Sequence, residues 1–142
     1  MTPIGTCRLY RPDPTSVGVH EQWSGASADA ERTHDDVLVV SIHGEVDAGN
    51  CARLADYLER HAAISGSLIV DTSAVVFFAA SALAVLHRVD RSCTRGGTAW
   101  RLVAGPAVRR VMRVCGTADL PQVENVENAL RQLDSRHASV DG

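Results

Sequence analysis

Three short runs of β-branched and aliphatic residues constrain the fold of this chain more than any other feature. They are "VLVVSI" at 37–42, "SLIVD" at 67–71 and "TAWRLV" at 98–103. Each run precedes a stretch whose apolar residues recur at helical spacing. Strands that alternate with helices pair in parallel, because a parallel connection needs a long return segment. The pattern predicts an α/β fold with a mixed, mostly parallel sheet of four to five strands and about four helices.

The ends of the predicted helices carry start and stop residues. Asn50 suits the N-cap of the first helix, and Gly66 follows its last turn. The pair Gly96–Gly97 ends the second helix, because glycine readily adopts the left-handed conformation of a helix C-terminus. Pro106 suits the first turn of the third helix, which Gly116 ends. These signals agree with the alternation of strands and helices.

Composition divides the chain into three parts. Residues 1–36 form a polar N-terminal extension, in which 17–23 alternates loosely enough for a possible edge strand. We expect the small and charged residues of 24–36 to form a mobile loop. Residues 37–134 form the single domain, and 135–142 form a flexible tail.

Charge and hydropathy argue against several classes of function. The formal net charge of −3 gives no general attraction to nucleic acid or to an anionic membrane. No apolar run approaches the roughly 20 residues of a transmembrane helix. The opening "MTPIGTCRLYRPDPTS" lacks the basic start and apolar core of a signal peptide. We therefore expect a cytoplasmic protein with no membrane or nucleic-acid partner.

The cysteines are far apart in sequence. None belongs to a CxxC motif or has a histidine at metal-ligand spacing, and no glycine-rich phosphate loop is present. We therefore expect no metal, no cofactor and mostly buried free thiols. Cys93 and Cys115 fall on inward stripes near the C-terminal ends of their predicted helices. If those helices are neighbours, the two thiols form a candidate redox pair.

Three segments together resemble the STAS domain of bacterial anti-sigma factor antagonists. In "VLVVSIHGEVDAGNCARLADYL", residues 44–47 correspond to the family's Gly-Glu-Leu-Asp. The other segments are "LIVDTSAVVFFAASALAVLHR" and "GGTAWRLVAGPAVRRVMRVCGTADLPQVENVENAL". The resemblance runs from Val37 to Leu133 in order and spacing, and it implies a single STAS-like domain.

The resemblance also implies a protein-binding function and no enzymatic activity. Such domains bind an anti-sigma factor, commonly a kinase of the GHKL ATPase type, and so free a sigma factor for transcription. We therefore expect a regulator that sequesters an anti-sigma factor, as a monomer or weak dimer. Two alternatives stay open. One is a STAS scaffold for another regulator or a small ligand, and the other is a small Ser-dependent hydrolase or phosphotransferase.

The loop that carries the family's phosphorylation switch is altered in this chain. Family members read Asp-Ser-Ser-Gly or Asp-Ser-Thr-Gly there, and the partner phosphorylates the first hydroxyl residue. The corresponding residues here are Ala79, Ala80, Ser81 and Ala82. Ala80 is therefore a degenerate phosphoacceptor position, and we expect no phosphorylation at the usual site. Ser81 is a possible phosphosite, or a helix-start residue whose hydroxyl satisfies a free backbone N–H.

We place the candidate partner-binding surface on two loops, 44–50 and 78–83, and on the exposed side of the helix that begins at Ala80. The residues assigned to this surface are Glu45, Asp47, Phe78, Ala79, Ala80, Ser81, Ala82 and Leu83. In an extended segment the adjacent Phe77 and Phe78 point to opposite faces, so an exposed one would be a binding anchor.

Carboxylates in this region also permit a catalytic interpretation. Glu45, Asp47 and Asp71 lie where acidic groups at strand ends can hold Mg²⁺ and accept a phosphoryl group. That chemistry normally recruits a lysine, and this chain has none. We therefore interpret Asp47 as a cap of the loop before the first helix and Asp71 as a strand end. Ser81 lacks the G-x-S-x-G context of a hydrolase nucleophile.

Overall fold

The computed structural model describes residues 20–33, 36–117 and 119–141. Its elements, in chain order, are β1 (His20–Trp23), β2 (Ala26–Arg32), β3 (Val37–Val46), α1 (Cys51–Ala63), β4 (Ser67–Phe78), α2 (Leu83–Gly96), β5 (Ala99–Val103), α3 (Pro106–Cys115), β6 (Gln122–Val123) and α4 (Val126–Asp141). A 3₁₀ turn, Ala80–Ala82, connects β4 to α2.

The strands form one mixed sheet in the order β1-β2-β3-β4-β5-β6. β1, β2 and β3 pair antiparallel, whereas β3, β4, β5 and β6 pair parallel. The predicted mixed, mostly parallel α/β fold is confirmed, with a six-stranded sheet instead of four to five strands. Parallel pairing arises because α1 and α2 each return the chain to the start of the next strand.

The prediction of a mobile loop over 24–36 is wrong, because Ala26–Arg32 forms β2 and pairs along β3. Buried residues alternate along this strand: Ala26, Ala28 and Ala30. Alanine, aspartate and glutamate have low strand propensity, so the sequence signal was weak. Cross-strand packing against β3 outweighs that local preference.

The first and last elements of the structure can be compared with the boundaries predicted from sequence. β1 lies at the edge of the sheet, inside the segment 17–23 for which an edge strand was predicted, and residues 17–19 lie outside the described ranges. Gly25, at φ +90°, forms the turn between β1 and β2. At the other end, the backbone of α4 stays helical to Asp141, beyond the predicted start of the tail at 135.

Helices cover the two faces of the sheet differently. α1 and α2 pack together on one face, over the larger core, which includes Leu38, Leu58 and Leu86. α4 covers part of the other face, where Ala129 and Leu133 join a smaller apolar cluster. The two faces are therefore buried by different parts of the chain, as an α/β architecture requires.

Arg88 links the outer surfaces of α1 and α2. Its guanidinium donates to Asp56 at 2.7 Å and to Glu59 at 2.8 Å. The Ser92 hydroxyl also donates to Glu59, at 2.7 Å. These bonds, led by the one from Arg88, hold the pKa of Glu59 below its usual range. The positive charge of Arg88 is thus neutralised by the carboxylates of Asp56 and Glu59 on the neighbouring helix.

β4 extends well beyond its neighbour β5. β5 ends at Val103, which pairs with Asp71, whereas β4 continues to Phe78. The interpretation of Asp71 as a strand end is therefore wrong. The extension is stable because β3 runs equally far and Val46 pairs with Phe78. The Asp71 carboxylate accepts bonds from the N–H and hydroxyl of Ser73, at 2.9 and 2.6 Å.

Candidate functional site

The extended ends of β3 and β4 bring the two predicted loops together. Val46 pairs with Phe78, and the N–H of Ala79 donates to the carbonyl of Val46 at 2.9 Å. The loops 47–50 and 79–82 therefore leave the sheet side by side at the carboxyl ends of the parallel strands. In open α/β sheets this edge is the usual place for binding.

Side chains of the first loop hold its conformation. Asp47 Oδ1 accepts the N–H groups of Gly49 and Asn50 at 2.8 and 3.2 Å, which confirms the capping interpretation of Asp47. Asn50 occupies the N-cap position of α1 but makes no side-chain bond to the helix. Its amide instead donates to the carbonyls of Ser24 and Glu45 at 2.8 and 2.9 Å. The loop is thereby tied to the β1–β2 turn.

Gly44 allows that turn to approach the end of β3. Its φ is +93°, and a Cβ placed there would lie 2.3 Å from the carbonyl oxygen of Gly25. The N–H of Glu45 donates to the same carbonyl at 2.8 Å. A glycine is therefore required at this position, and the Glu45 side chain next to it is exposed.

The two phenylalanines at the end of β4 have opposite environments. Phe78 is 3% exposed and belongs to the larger core, whereas Phe77 is 50% exposed. The assignment of Phe78 to the partner surface is wrong, because a buried ring cannot contact a partner. Phe77 is the residue that the assignment missed. Alternation predicted opposite faces but not which ring is exposed, since a register shift between Gly44 and Glu45 resets the pairing here.

The other assigned residues also differ in burial. Ala82 and Leu83 are buried, so their assignment to the partner surface is wrong. Both anchor the start of α2 in the core. The assigned residues that reach solvent, fully or in part, are Glu45, Asp47, Ala79, Ala80 and Ser81. Glu45 is the register partner of Phe77, so a carboxylate and an aromatic ring stand next to each other.

Ser81 is exposed on the 3₁₀ turn. Its hydroxyl makes no hydrogen bond to the described residues, and neither the turn nor α2 has a side-chain cap. Ser81 therefore lies at the start of the helical segment, as predicted, but the expectation that its hydroxyl satisfies a backbone N–H is wrong. No histidine in the described ranges makes a hydrogen bond to this hydroxyl.

The two cysteines of the candidate redox pair have different surroundings. Cys93 is buried in α2, and burial, with a smaller contribution from Asp90, raises the pKa of its thiol to about 11. Cys115 is exposed, so its predicted inward orientation is wrong. Met112 is the last buried residue of α3, which shows that the final turn extends past the core. Both are free thiols in the structure.

We expect thiol reagents to label Cys115 quickly in the folded protein and Cys93 only after unfolding. At about pH 8, a thiol with a pKa near 11 is about one part in a thousand thiolate, and burial also blocks access to Cys93. Peptide mass spectrometry after timed labelling measures the order. In the control, Cys115→Ser removes the fast-labelled peptide. A Cys93–Cys115 disulfide formed in the folded protein by mild oxidant would contradict this expectation.

Within residues 20–33, 36–117 and 119–141, no group of three or more His, Cys, Asp and Glu residues is arranged to hold a metal ion. No helix in the same ranges is long and apolar enough to cross a bilayer.

Known proteins share both the sequence pattern and the fold. A family model for the STAS domain matches residues 30–132. Osmosensory protein A of Mycobacterium tuberculosis is 30% identical over 107 residues, which cover 70% of this chain and 66% of that protein. The chain therefore spans slightly less than two thirds of that relative. Anti-sigma-F factor antagonist RsfA of the same species is 33% identical over 102 residues, covering 68% of this chain and 80% of RsfA.

A solved structure gives the same result. The crystal structure of an anti-sigma factor antagonist from Mycobacterium paratuberculosis aligns with a TM-score of 0.67 at 27% identity. The alignment covers 86% of this chain and 97% of that one. The family match begins within β2 and includes every later strand, both loops of the candidate surface and the start of α4. This chain is therefore a member of the STAS domain family.

Proposed function

We propose that this protein is an anti-sigma factor antagonist, a binding module that sequesters an anti-sigma factor and so releases a sigma factor. The names of RsfA and of the Mycobacterium paratuberculosis protein support this role. The observation that carries the proposal is the exposed ring of Phe77 beside Glu45, where the loops 47–50 and 79–82 converge. Exposed aromatic residues on a rigid support are typical anchors of protein–protein interfaces. The proposed partner is an anti-sigma factor of the GHKL kinase type.

We further infer that phosphorylation at the 3₁₀ turn does not switch this binding off. Ala80 has no hydroxyl to accept a phosphoryl group. Ser81 lies one residue further along, which on a 3₁₀ turn is about 120° of rotation and about 2 Å of rise. Its oxygen is therefore aimed differently from that of an acceptor at position 80. Binding is constitutive, or it responds to another input such as the N-terminal extension.

Incubation with a GHKL-type anti-sigma kinase and ATP tests both parts of the proposal. We expect a stable complex by size-exclusion chromatography and no phosphate by intact-mass analysis. A family antagonist with an intact Asp-Ser-Ser-Gly loop serves as the control that the kinase is active. Stoichiometric phosphate on Ser81 with loss of the complex would overturn constitutive binding. Failure to bind any anti-sigma factor encoded in the same genome would overturn the proposed function.

The likeness to Osmosensory protein A supports a second candidate, a STAS scaffold that binds another regulator through the same surface. Pull-down from the native cell lysate, with Phe77→Ala as a parallel bait, separates the two candidates. A partner that depends on Phe77 and is not an anti-sigma factor would favour the scaffold.

A further inference from the structure

Helix α3 has a cationic outer face that is not neutralised within the described chain. Arg109, Arg110 and Arg113 are exposed, and the helix contains no acidic residue. None of the three makes a hydrogen bond or ion pair with a described residue. On the other helices the charges are mixed: Arg60 on α1 pairs with Glu21 at 2.9 Å, and Arg88 on α2 pairs with Asp56 and Glu59. Arg91 and Arg95 of α2 also pair with no described residue, but their helix contains Asp90, whereas α3 has no carboxylate.

These arginines form one continuous face with an exposed apolar residue. Arg109 lies four residues before Arg113, and Arg110 lies four residues before Val114, so each pair occupies neighbouring positions on the helix surface. Val114 is 80% exposed, the largest value among the large apolar side chains of the described residues. Like charges at this spacing repel each other, and a bound carboxylate would relieve that repulsion.

Packing against β4 and hydrogen bonds at its N-terminal end fix the position of α3. Val108 and Met112 are buried on its inner side, where the helix packs against β4. At its start, the Thr72 hydroxyl donates to the carbonyl of Val103 at 2.7 Å and accepts the N–H of Gly105 at 3.1 Å. A Cβ on Gly105 would lie 2.6 Å from the carbonyl oxygen of Thr72. The arginine face is therefore presented on a fixed support next to β4, whose far end carries Phe77.

We propose that the outer face of α3 docks an acidic amphipathic segment of a protein partner. Aspartate and glutamate carboxylates match the planar guanidinium groups in charge and geometry, and an apolar side chain of the segment would cover Val114. A second copy of this chain that docked through the same face would bring the arginines of the two copies against each other. Nucleic acid would meet a chain of net charge −3 with too few cationic groups on this face. The proposal goes beyond the function above, and its test needs no anti-sigma factor.

The test uses the full chain labelled with ¹⁵N and a synthetic amphipathic helix of about 18 residues, built from Glu and Leu, as the probe. At low ionic strength we expect amide shifts concentrated on 109–114. The double change Arg110→Glu/Arg113→Glu should weaken peptide binding by about tenfold, because two attractions become repulsions. The matched control is Arg91→Glu/Arg95→Glu, which alters two exposed arginines of α2 that pair with no described residue and changes the net charge equally.

We expect the control to lose less than about twofold in affinity and the difference to vanish at high salt. Equal losses in both double variants would overturn the proposal, because net charge alone would then explain binding. No binding, or shifts remote from α3, would also overturn it. Tighter α3-dependent binding to a DNA duplex of about 20 base pairs or to phosphatidylglycerol vesicles would overturn it in favour of those ligands. Circular dichroism confirms that each variant is folded, and Arg110→Gln/Arg113→Gln provides a milder variant if the charge reversal unfolds the chain.

Discussion

Phe77→Ala is expected to weaken binding of the anti-sigma partner by about 2 kcal/mol, roughly thirtyfold, while lowering the free energy of unfolding by only about 1 kcal/mol. The ring is half exposed, so its removal creates no cavity in the core. In the complex the same ring would be covered, and truncation would lose both the buried apolar area and the packing around it. Isothermal calorimetry measures the affinity, and urea denaturation measures the stability.

Two control variants, each of which also truncates an apolar side chain to alanine, test whether the effect on binding is specific to Phe77. Phe78→Ala removes a ring that is 3% exposed, and it should lower the free energy of unfolding by about 3–5 kcal/mol. Ile64→Ala removes an apolar side chain that is 44% exposed beyond the C-terminal end of α1, near the opposite edge of the parallel strands. It should leave the partner affinity unchanged and lower the free energy of unfolding about as much as Phe77→Ala does. Equal affinity of Phe77→Ala and wild type for the partner would remove Phe77 from the interface.

Ala79→Asp/Ala80→Ser is expected to convert the chain into a substrate of the anti-sigma kinase. The change restores the acidic residue and the hydroxyl that the family carries at these positions. Ala80 is exposed and Ala79 is partly exposed, so both new side chains can be accommodated at the surface. A phosphate on Ser at position 80 would add a charge of about −2 close to Glu45 and Phe77, and we expect it to lower partner affinity by at least about tenfold.

The matched control for this conversion is Ala79→Asp alone, which adds the carboxylate without the new hydroxyl and retains Ser81. Intact-mass analysis after incubation with kinase and ATP should show a single phosphate on the double variant and none on the control. Phosphate on the control would show that Ser81 is an acceptor after all. A double variant that binds the kinase but stays unmodified would show that the turn does not present position 80 to the γ-phosphate.

The elements with strong local signals could be predicted from sequence. The β-branched runs of β3 and β5 and the helical periodicity of α2 involve residues close together in the chain, and the stop signal at Gly97 is a property of one residue. β2 could not be predicted in the same way. Its alanines and acidic residues have low strand propensity, and they form a strand only because β3 provides a long partner.

The candidate site shows the same division. The sequence by itself determined its chemical composition: no hydroxyl at Ala80, no lysine in the chain, and an adjacent pair of phenylalanines at 77 and 78. Only the tertiary structure decided that Phe77 is exposed and Phe78 buried, that Leu83 belongs to the core, and that α3 presents its arginines on a support against β4. The residue type at each position can be read directly from the sequence. Burial depends on the register of β4 against β3 and on the packing of helices that are distant in sequence, and no local pattern encodes these contacts.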